Sequence, residues 1–211
     1  MDSATLSAKS PLGGYAHTFD DTEVREIPTL VIVSISVPRD GMNKLEKKLE
    51  SLWQVSFPTT GACTRIKNTG TLGSVTELVL YGLQSDQCFL VAEPQGSSSQ
   101  AIMDHVHASL GNVAYLTDQS DSWAVLDVQG PLTLRAMERI CMLDLDSLST
   151  LQVARTTMEH LSVIVEKSGH HHVRLYSPRS SASDFLHAVT TSLANVQNNP
   201  QDQKQEFITK E

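Results

Sequence analysis

Three short stretches of this 211-residue sequence carry residue types that could do chemistry. The first is Gly130-Pro131, inside "DSWAVLDVQGPLTLRAMERICMLDL" (121–145), where an alternating apolar run passes through one glycine into a helical period. Strand, glycine and helix start is the outline of a phosphate cradle. Such a cradle needs several glycines, so that the backbone can approach a pyrophosphate, and free N–H groups at the helix start. Here a single glycine precedes a proline, which suits the first helical position but removes a donor. Gly130-Pro131 is expected to begin a helix, not to bind a cofactor. The second stretch, His170 to His172, suggests a metal. Successive strand residues point to opposite faces, so the three rings cannot converge on one ion. His105 and His107 lie two apart on a helical pattern and also diverge. No spacing links His107 to Cys63 or Cys88. The third comprises the serine runs 97–99 and 180–181. Both precede apolar helices and no GxSxG elbow is present, so helix capping is their expected role.

Among the carboxylates, Glu77, Asp118, Asp127, Asp144 and Asp146 show no spacing that makes an acid/base pair. Asp144 and Asp146 are expected in the exit from a helix. Cys141, near that helix's C-terminus, is expected to have a raised thiol pKa, because the dipole there is negative. Trp53, Trp123 and Met137 are expected in the core. The residues thus predict no catalytic, cofactor-binding or metal-binding group in this chain.

Composition narrows the classes further. The formal net charge is -8, with 40% hydrophobic and 19% charged residues, ordinary for a soluble globular chain. Duplex binding needs clustered cations. The densest group, Lys44, Lys47 and Lys48, is interleaved with Glu46 and Glu50 and reads as a solvated helix face. No run reaches the roughly 18 apolar residues of a membrane span, and "MDSATLSAKSPLGG" lacks a basic-then-apolar signal pattern. The three scattered cysteines form neither a CxxC pair nor a disulfide framework, which predicts a reducing, cytoplasmic setting. Neither nucleic acid nor membrane is an expected partner.

The elements that must position these residues occur in the same order twice. Residues 1–26 read as an extended polar arm, in which "SPLGGY" holds a few apolar groups. "TLVIVSISV" is a strand, and Asp40-Gly41 opens a helix with Met42, Leu45, Leu49 and Leu52 on one face. "VTELVLYGL" and "CFLVAE" form a hairpin around "QSDQ", and Ile102, Val106 and Leu110 stripe the next helix. This half spans 27–111. The second half, 112–195, has a strand at Trp123–Val128 and a helix over Pro131–Cys141 with Leu132, Ala136 and Ile140 inward. It continues with a hairpin turning at Ser168-Gly169 and a helix carrying Phe185, Val189 and Leu193. Sliding residues 78–110 over 161–193 aligns Ser85 with Ser168, Val106 with Val189 and Leu110 with Leu193. The expectation is an α+β fold of two interlocking strand-helix-strand-strand-helix halves with pseudo-twofold symmetry, followed by a flexible polar tail over 196–211.

The ordered segments "REIPTLVIVSISV", "FPTT", "LVLYGLQSDQCFLVA", "DQSDSWAVLDVQGPLTLRAMERICMLDLDSL", "VARTTMEHLSVIVEK" and "VRLYSPRSSASDFLHAV" resemble the gamma subunit of heterotetrameric sarcosine oxidase. The resemblance covers about residues 10–194, including Arg25-Glu26-Ile27-Pro28, Gly130-Pro131, "LDL" (143–145) and Ala154-Arg155-Thr156. It implies a fold like the aminomethyltransferase (glycine cleavage T-protein) and YgfZ fold. It also implies a non-catalytic chain that packs on and stabilises the large alpha subunit, through the arm and core, in a complex with beta and delta subunits. That complex would demethylate sarcosine oxidatively to glycine, with FAD, FMN, NAD, tetrahydrofolate and zinc all held in the other subunits. "LYGLQSDQCFL" departs from the family's usual "WLGPDEWLL", and "GACTRIKNTGTLGS" is also atypical. These departures leave open a related complex acting on dimethylglycine or another N-methyl amino acid, as oxidase or dehydrogenase. A stand-alone folate-binding or aminomethyltransferase-like protein is the alternative.

Overall fold

The computed structural model describes residues 9–67, 75–95 and 98–199. The chain begins with β1 (Ala16–Phe19) and β2 (Thr22–Glu26), then runs through β3 (Val31–Ser36), α1 (Met42–Trp53), β4 (Cys63–Arg65), β5 (Val75–Gly82), β6 (Gln87–Pro94) and α2 (Ser99–Leu110). After β7 (Tyr115–Asp118) come β8 (Trp123–Gln129), α3 (Thr133–Glu138), β9 (Gln152–Met158), β10 (Leu161–Gly169), β11 (His172–Pro178) and α4 (Ala182–Gln197).

Continuous burial along β3, from Val31 to Ile35, is the mark of a strand covered on both faces. Two antiparallel sheets produce this burial. One has the order β4-β5-β6-β3-β7, the other β1-β2-β8-β11-β10-β9. Val33, Ile35, Leu78, Leu80 and Leu90 face α1 and α2 in one core, together with Leu45, Leu49, Ile102, Val106 and Leu110. Leu126, Val128, Val163, Val165 and Leu175 face α3 and α4 in a second core, with Met137, Phe185, Val189 and Leu193. The alternate residues, Ile32, Val79, Phe89, Val91, Val125, Ile164 and Tyr176, meet between the sheets in a third. The architecture is therefore four layers: helices, sheet, sheet, helices.

The expected duplication has a precise geometric counterpart. The strand order β4-β5-β6-β3 repeats as β9-β10-β11-β8. The first half contains one strand more than the sequence reading gave it, β4, and the second contains two, β7 and β9; the edge strands β4 and β9 join the sheets. Ala62 bridges Gln152; the Cys63 N–H donates to the Leu151 carbonyl and the Val153 N–H donates to the Gly61 carbonyl, at 2.9 and 3.0 Å. This reciprocal pair of bonds places a pseudo-twofold axis at the Ala62/Gln152 bridge. Cys63 pairs with Tyr81 as Val153 pairs with Glu166, and Tyr81 opposes Phe89 as Glu166 opposes Arg174. In the hairpins residue 81 thus corresponds to 166, two positions beyond the ungapped alignment that fits the helices. The first half has two more residues between its hairpin and its second helix.

Several elements differ from expectation. Within the segment read as an extended arm, β1 and β2 form a hairpin that extends the second sheet through β8. Residues 10–14 wrap the Glu26 carboxylate, which accepts from the N–H groups of Leu12 (3.0 Å) and Gly14 (2.7 Å) and from the Ser10 hydroxyl. The hairpin in the second half turns at His170-His171, with a register shift between Lys167 and Gly169, not at Ser168-Gly169. The expected helix 131–141 is confined to α3, because the chain beyond Glu138 turns back until Cys141 bridges Met158. Helix α4 runs through Val196, which is buried, to Gln197; the remainder of the expected tail beyond Asn199 lies outside the described residues.

Gly130 shows why that corner is structural. Its φ is +141°, and a Cβ there would lie 2.5 Å from Thr22 Cα and against the Asp21 carbonyl oxygen. Its N–H donates to the His171 carbonyl at 2.9 Å, and the Leu132 N–H donates to Thr22 Oγ1 at 2.9 Å. Donors that a phosphate would use are spent on the β10–β11 turn, through Gly130, and on the β1–β2 hairpin, through Leu132. Gly130→Ala is accordingly expected to cost about 1–3 kcal/mol, from strain and displacement of Thr22. A lowered urea midpoint would register it, and an unchanged midpoint would contradict this assignment.

Candidate functional site

Asp127 on β8 and Arg174 on β11 each sit inside an apolar run, Glu166 on β10 closes one, and Arg25 lies on the polar strand β2. Register sets them side by side, with Arg25 opposite Asp127, Asp127 opposite Arg174, and Arg174 opposite Glu166. Charge alternates across the sheet, the arrangement in which directly opposed side chains attract. Arg174 is the hub. Its Nε donates to Asp127 Oδ1 at 3.3 Å and its Nη1 to Glu77 Oε2 at 3.0 Å, while Nη2 lies 3.8 Å from Glu93 Oε2. Arg25 Nη2 reaches Asp127 Oδ2 at 3.2 Å, and Arg65 Nη2 reaches Glu77 Oε1 at 3.3 Å. His172 Nε2 meets Asp127 Oδ1 at 2.9 Å. From the facing sheet, the Tyr81 hydroxyl donates to Glu166 and lies 2.8 Å from the Tyr176 hydroxyl, and Cys63 Sγ is 3.9 Å from Glu166 Oε1.

Asp127, Glu166 and Arg174 are 2%, 1% and 7% exposed, so each is removed from water and must be matched inside the protein. For Asp127, burial raises the pKa, but the His172 hydrogen bond and the charges of His172, Arg174 and Arg25 outweigh it and hold the carboxyl below its usual range. Burial depresses the Arg174 pKa, but Tyr176, Tyr81, Glu166 and Asp127 together drive it above the ordinary arginine value. Burial pushes the Tyr81 and Tyr176 phenols up, reinforced for Tyr81 by Tyr176 and Glu166 and for Tyr176 by Glu166. The Cys63 thiol is raised by burial and by Glu166, the reverse of nucleophile activation. The seam is a self-neutralised network of ion pairs and neutral phenols that clamps the two sheets together.

The groups singled out in the sequence fall into place around it. Of the three histidines, only His172 joins the seam; the His170 and His171 rings lie 4.2 Å apart, tilted by 55°, in the turn itself. Glu77 and Asp127, unpaired by sequence spacing, converge on Arg174. Asp118 Oδ1 accepts from Ser120 N–H and Oγ, and Asp144 Oδ1 accepts from Asp146 and Ser147 N–H groups in the turn after α3. Ser98 caps α2 by accepting from Ala101 N–H at 3.1 Å. Ser181 makes no side-chain cap bond, since a 3₁₀ turn from Arg179 to Ser181 leads directly into α4. Ser97 lies outside the described residues. Trp53 and Met137 are fully buried, and Trp123 is partly buried between the sheets. Burial raises the Cys141 thiol, as it raises Cys88 to about 12; the helix dipole expected to act on Cys141 is not the leading cause. Among the described residues no three His, Cys, Asp or Glu side chains are grouped to hold a metal. No helix there is long and apolar enough to cross a membrane.

Hollows outside the seam are also present among the described residues. A groove of about 510 Å³ runs between the end of α3, the β9–β10 turn and α4, with Arg139, Glu159, Asp184 and His187 on its walls. A cavity of about 230 Å³ lies between the halves, lined by Leu30, Met103, Asp118, Trp123 and Arg179 among others.

A chain of the heterotetrameric sarcosine oxidase from Corynebacterium sp. U-96 superposes with a TM-score of 0.72 at 18% identity, covering 91% of this chain and 97% of that one. The two share a fold. The glycine cleavage system aminomethyltransferase T from Bartonella henselae superposes with a TM-score of 0.57 at 15% identity, covering 78% of this chain but 44% of that one. In sequence, an aminomethyltransferase of Exiguobacterium sibiricum is 25% identical over 120 residues, and one of Halothermothrix orenii 24% identical over 98 residues. These alignments take in 56% and 46% of this chain but span only 33% and 27% of the curated relatives' length. No protein-family model matches the chain.

Two outcomes follow from the seam. Arg174→Ala takes from Asp127, Glu77 and Glu93 the cation they share and is expected to cost about 3–5 kcal/mol, read as a lower urea midpoint; a loss below about 1 kcal/mol would show the seam to be dispensable. Stability should also be bounded in pH. The Asp127 contribution is present above the ordinary carboxylate pKa of about 3.9 and is lost as pH falls through its lower folded value. The tyrosines act oppositely, contributing below about pH 10 and losing that contribution as pH rises further. Asp127→Asn should flatten the acid limb of a stability-versus-pH curve and leave the alkaline limb in place.

Proposed function

We propose that this chain is the gamma-type, non-catalytic subunit of a heterotetrameric, flavin- and folate-dependent sarcosine oxidase that converts sarcosine to glycine by oxidative demethylation. The observation that carries this reading is the near-complete mutual coverage with the sarcosine oxidase chain, 91% and 97%, against 44% of the longer transferase. A chain of the same extent and fold supports the same place in an assembly. The self-neutralised seam supports a supporting role over catalysis, since each charge in the row is committed to a neighbour. On this reading FAD, FMN, NAD, tetrahydrofolate and zinc belong to the alpha, beta and delta subunits, and this chain packs on the large alpha subunit. Contact falls mainly to the folded body, because residues 10–14 are already bound to Glu26. The free cysteines at 63, 88 and 141 support a cytoplasmic location. The N-methyl amino acid handled by the complex, and its electron acceptor, would be decided by the other subunits.

The sequence matches to aminomethyltransferases favour a second reading, a stand-alone folate-binding protein. Purification of the chain from its native source at mild salt separates the two. The subunit reading expects flavin absorbance and a stoichiometric large partner travelling with it. A solitary colourless chain that binds tetrahydrofolate in a titration would replace it with the second.

A further inference from the structure

The two sheets correspond strand for strand except at one edge. In the second sheet β2 lies beside β8, and in the first β7 lies beside β3 in the corresponding position. Glu26 opposes Leu126 as Asp118 opposes Val33, so β2 and β7 also correspond in register. Strand β2 is covered on its outer side by β1, giving that sheet six strands. Among the described residues the first sheet has five and ends at β7.

An open strand edge presents unpaired backbone groups, and proteins that keep such an edge free place Lys, Pro or a bulge there. Strand β7, "YLTD", is short and carries one charge, Asp118, but it holds no Lys or Pro, and its pairing with β3 shows no register shift. Tyr115 is 69% exposed, a large apolar side chain on this edge. Gln119 N–H donates to the Ile32 carbonyl, which fixes the phase of the ladder. By the alternation of an antiparallel pair, Thr117 and Tyr115 are then the residues bonded to β3, and the N–H and C=O groups of Leu116 and Asp118 face outward. Leu116 packs only partly on the core beneath it, and Asp118 is exposed.

We propose that the outer edge of β7 is a docking strand for an extended segment of a partner subunit, which adds to the first sheet as its sixth strand. The inference rests on the subunit reading above. Backbone bonds to Leu116 and Asp118 would carry the pairing, and alternate side chains would give it selectivity. The segment's chemistry follows from the edge it meets: an apolar residue beside Leu116 and, two positions along on the same face, a lysine or arginine beside Asp118.

Residue-resolved hydrogen exchange on the natively purified complex tests this, with Thr117 as internal control. The expected result is protection of the Leu116 and Asp118 amides comparable to that of Thr117. Asp118→Pro, which removes an outward donor and spares the β3 ladder, should lower retained partner at least tenfold, whereas Asp118→Ala should retain it within about threefold. An intact complex in which those two amides exchange freely overturns the docking strand and leaves the subunit reading standing. Protection that vanishes on deleting residues 1–8, or that follows the concentration of the chain alone, overturns it in favour of the chain's own terminus or a second copy. Absence of any partner overturns both.

Discussion

The fold turns on Arg174. A guanidinium 7% exposed is tolerable only where several acceptors surround it, and Asp127, Glu77 and Glu93 come from both sheets to do so. Apolar contacts alone would let one sheet slide or rotate on the other, because hydrophobic attraction has no direction. A buried guanidinium with acceptors on two sheets fixes one relative placement, since any slip strands a charge. The surrounding apolar layer, from Ile32 to Tyr176, supplies attraction, and the charged row supplies registration.

Symmetry explains why the row is charged on only one side. Near a twofold axis, equivalent positions face one another, so a duplicated sequence sets each residue against its own copy. Tyr81 and Glu166 occupy equivalent positions beside the Ala62/Gln152 bridge, and they are hydrogen-bonded to each other. Two glutamates there would repel in a buried setting, and two valines would leave no directional link. A phenol against a carboxylate is a donor against an acceptor, which the axis allows only when the copies have diverged. The same divergence sets Phe89 where the other sheet has Arg174 and Ser34 where it has Asp127. One sheet holds the cation and the other offers it Glu77.

How much of this could be read beforehand depends on the range of the interaction. The helices and the long strands are legible because Leu45/Leu49, Ile102/Val106 and Val33/Ile35 obey local periods. Strands β4 and β9 are not, because the contact that defines their starts joins residues 62 and 152. The β1–β2 hairpin turns at Asp20, with a φ of +47°, and two aspartates in a polar segment give a weak turn signal beside glycine. The helix after Gly130-Pro131 was overextended because Ile140 keeps the helical period although a tertiary bridge from Cys141 to Met158 ends the helix. As for the seam, its clue is present: Asp127 and Arg174 each interrupt an apolar run, and Glu166 closes one. Which charges meet is a matter of register across four strands, and no spacing along the chain encodes it.

The separation between seam and surface bears on what such a chain can contribute to an assembly. Catalysis requires a group whose charge or proton is free to change partners during reaction. In the seam the phenols are raised by burial and Asp127 is lowered mainly by its basic neighbours, so the groups are held away from the neutral range where a proton would be exchanged. That arrangement favours rigidity. A rigid pair of sheets can present a strand edge at a fixed angle, which a flexible chain could do only by losing conformational entropy on docking. The buried charges and the open edge of β7 are in this sense complementary: the first removes freedom from the interior, and the second offers backbone groups that are already ordered.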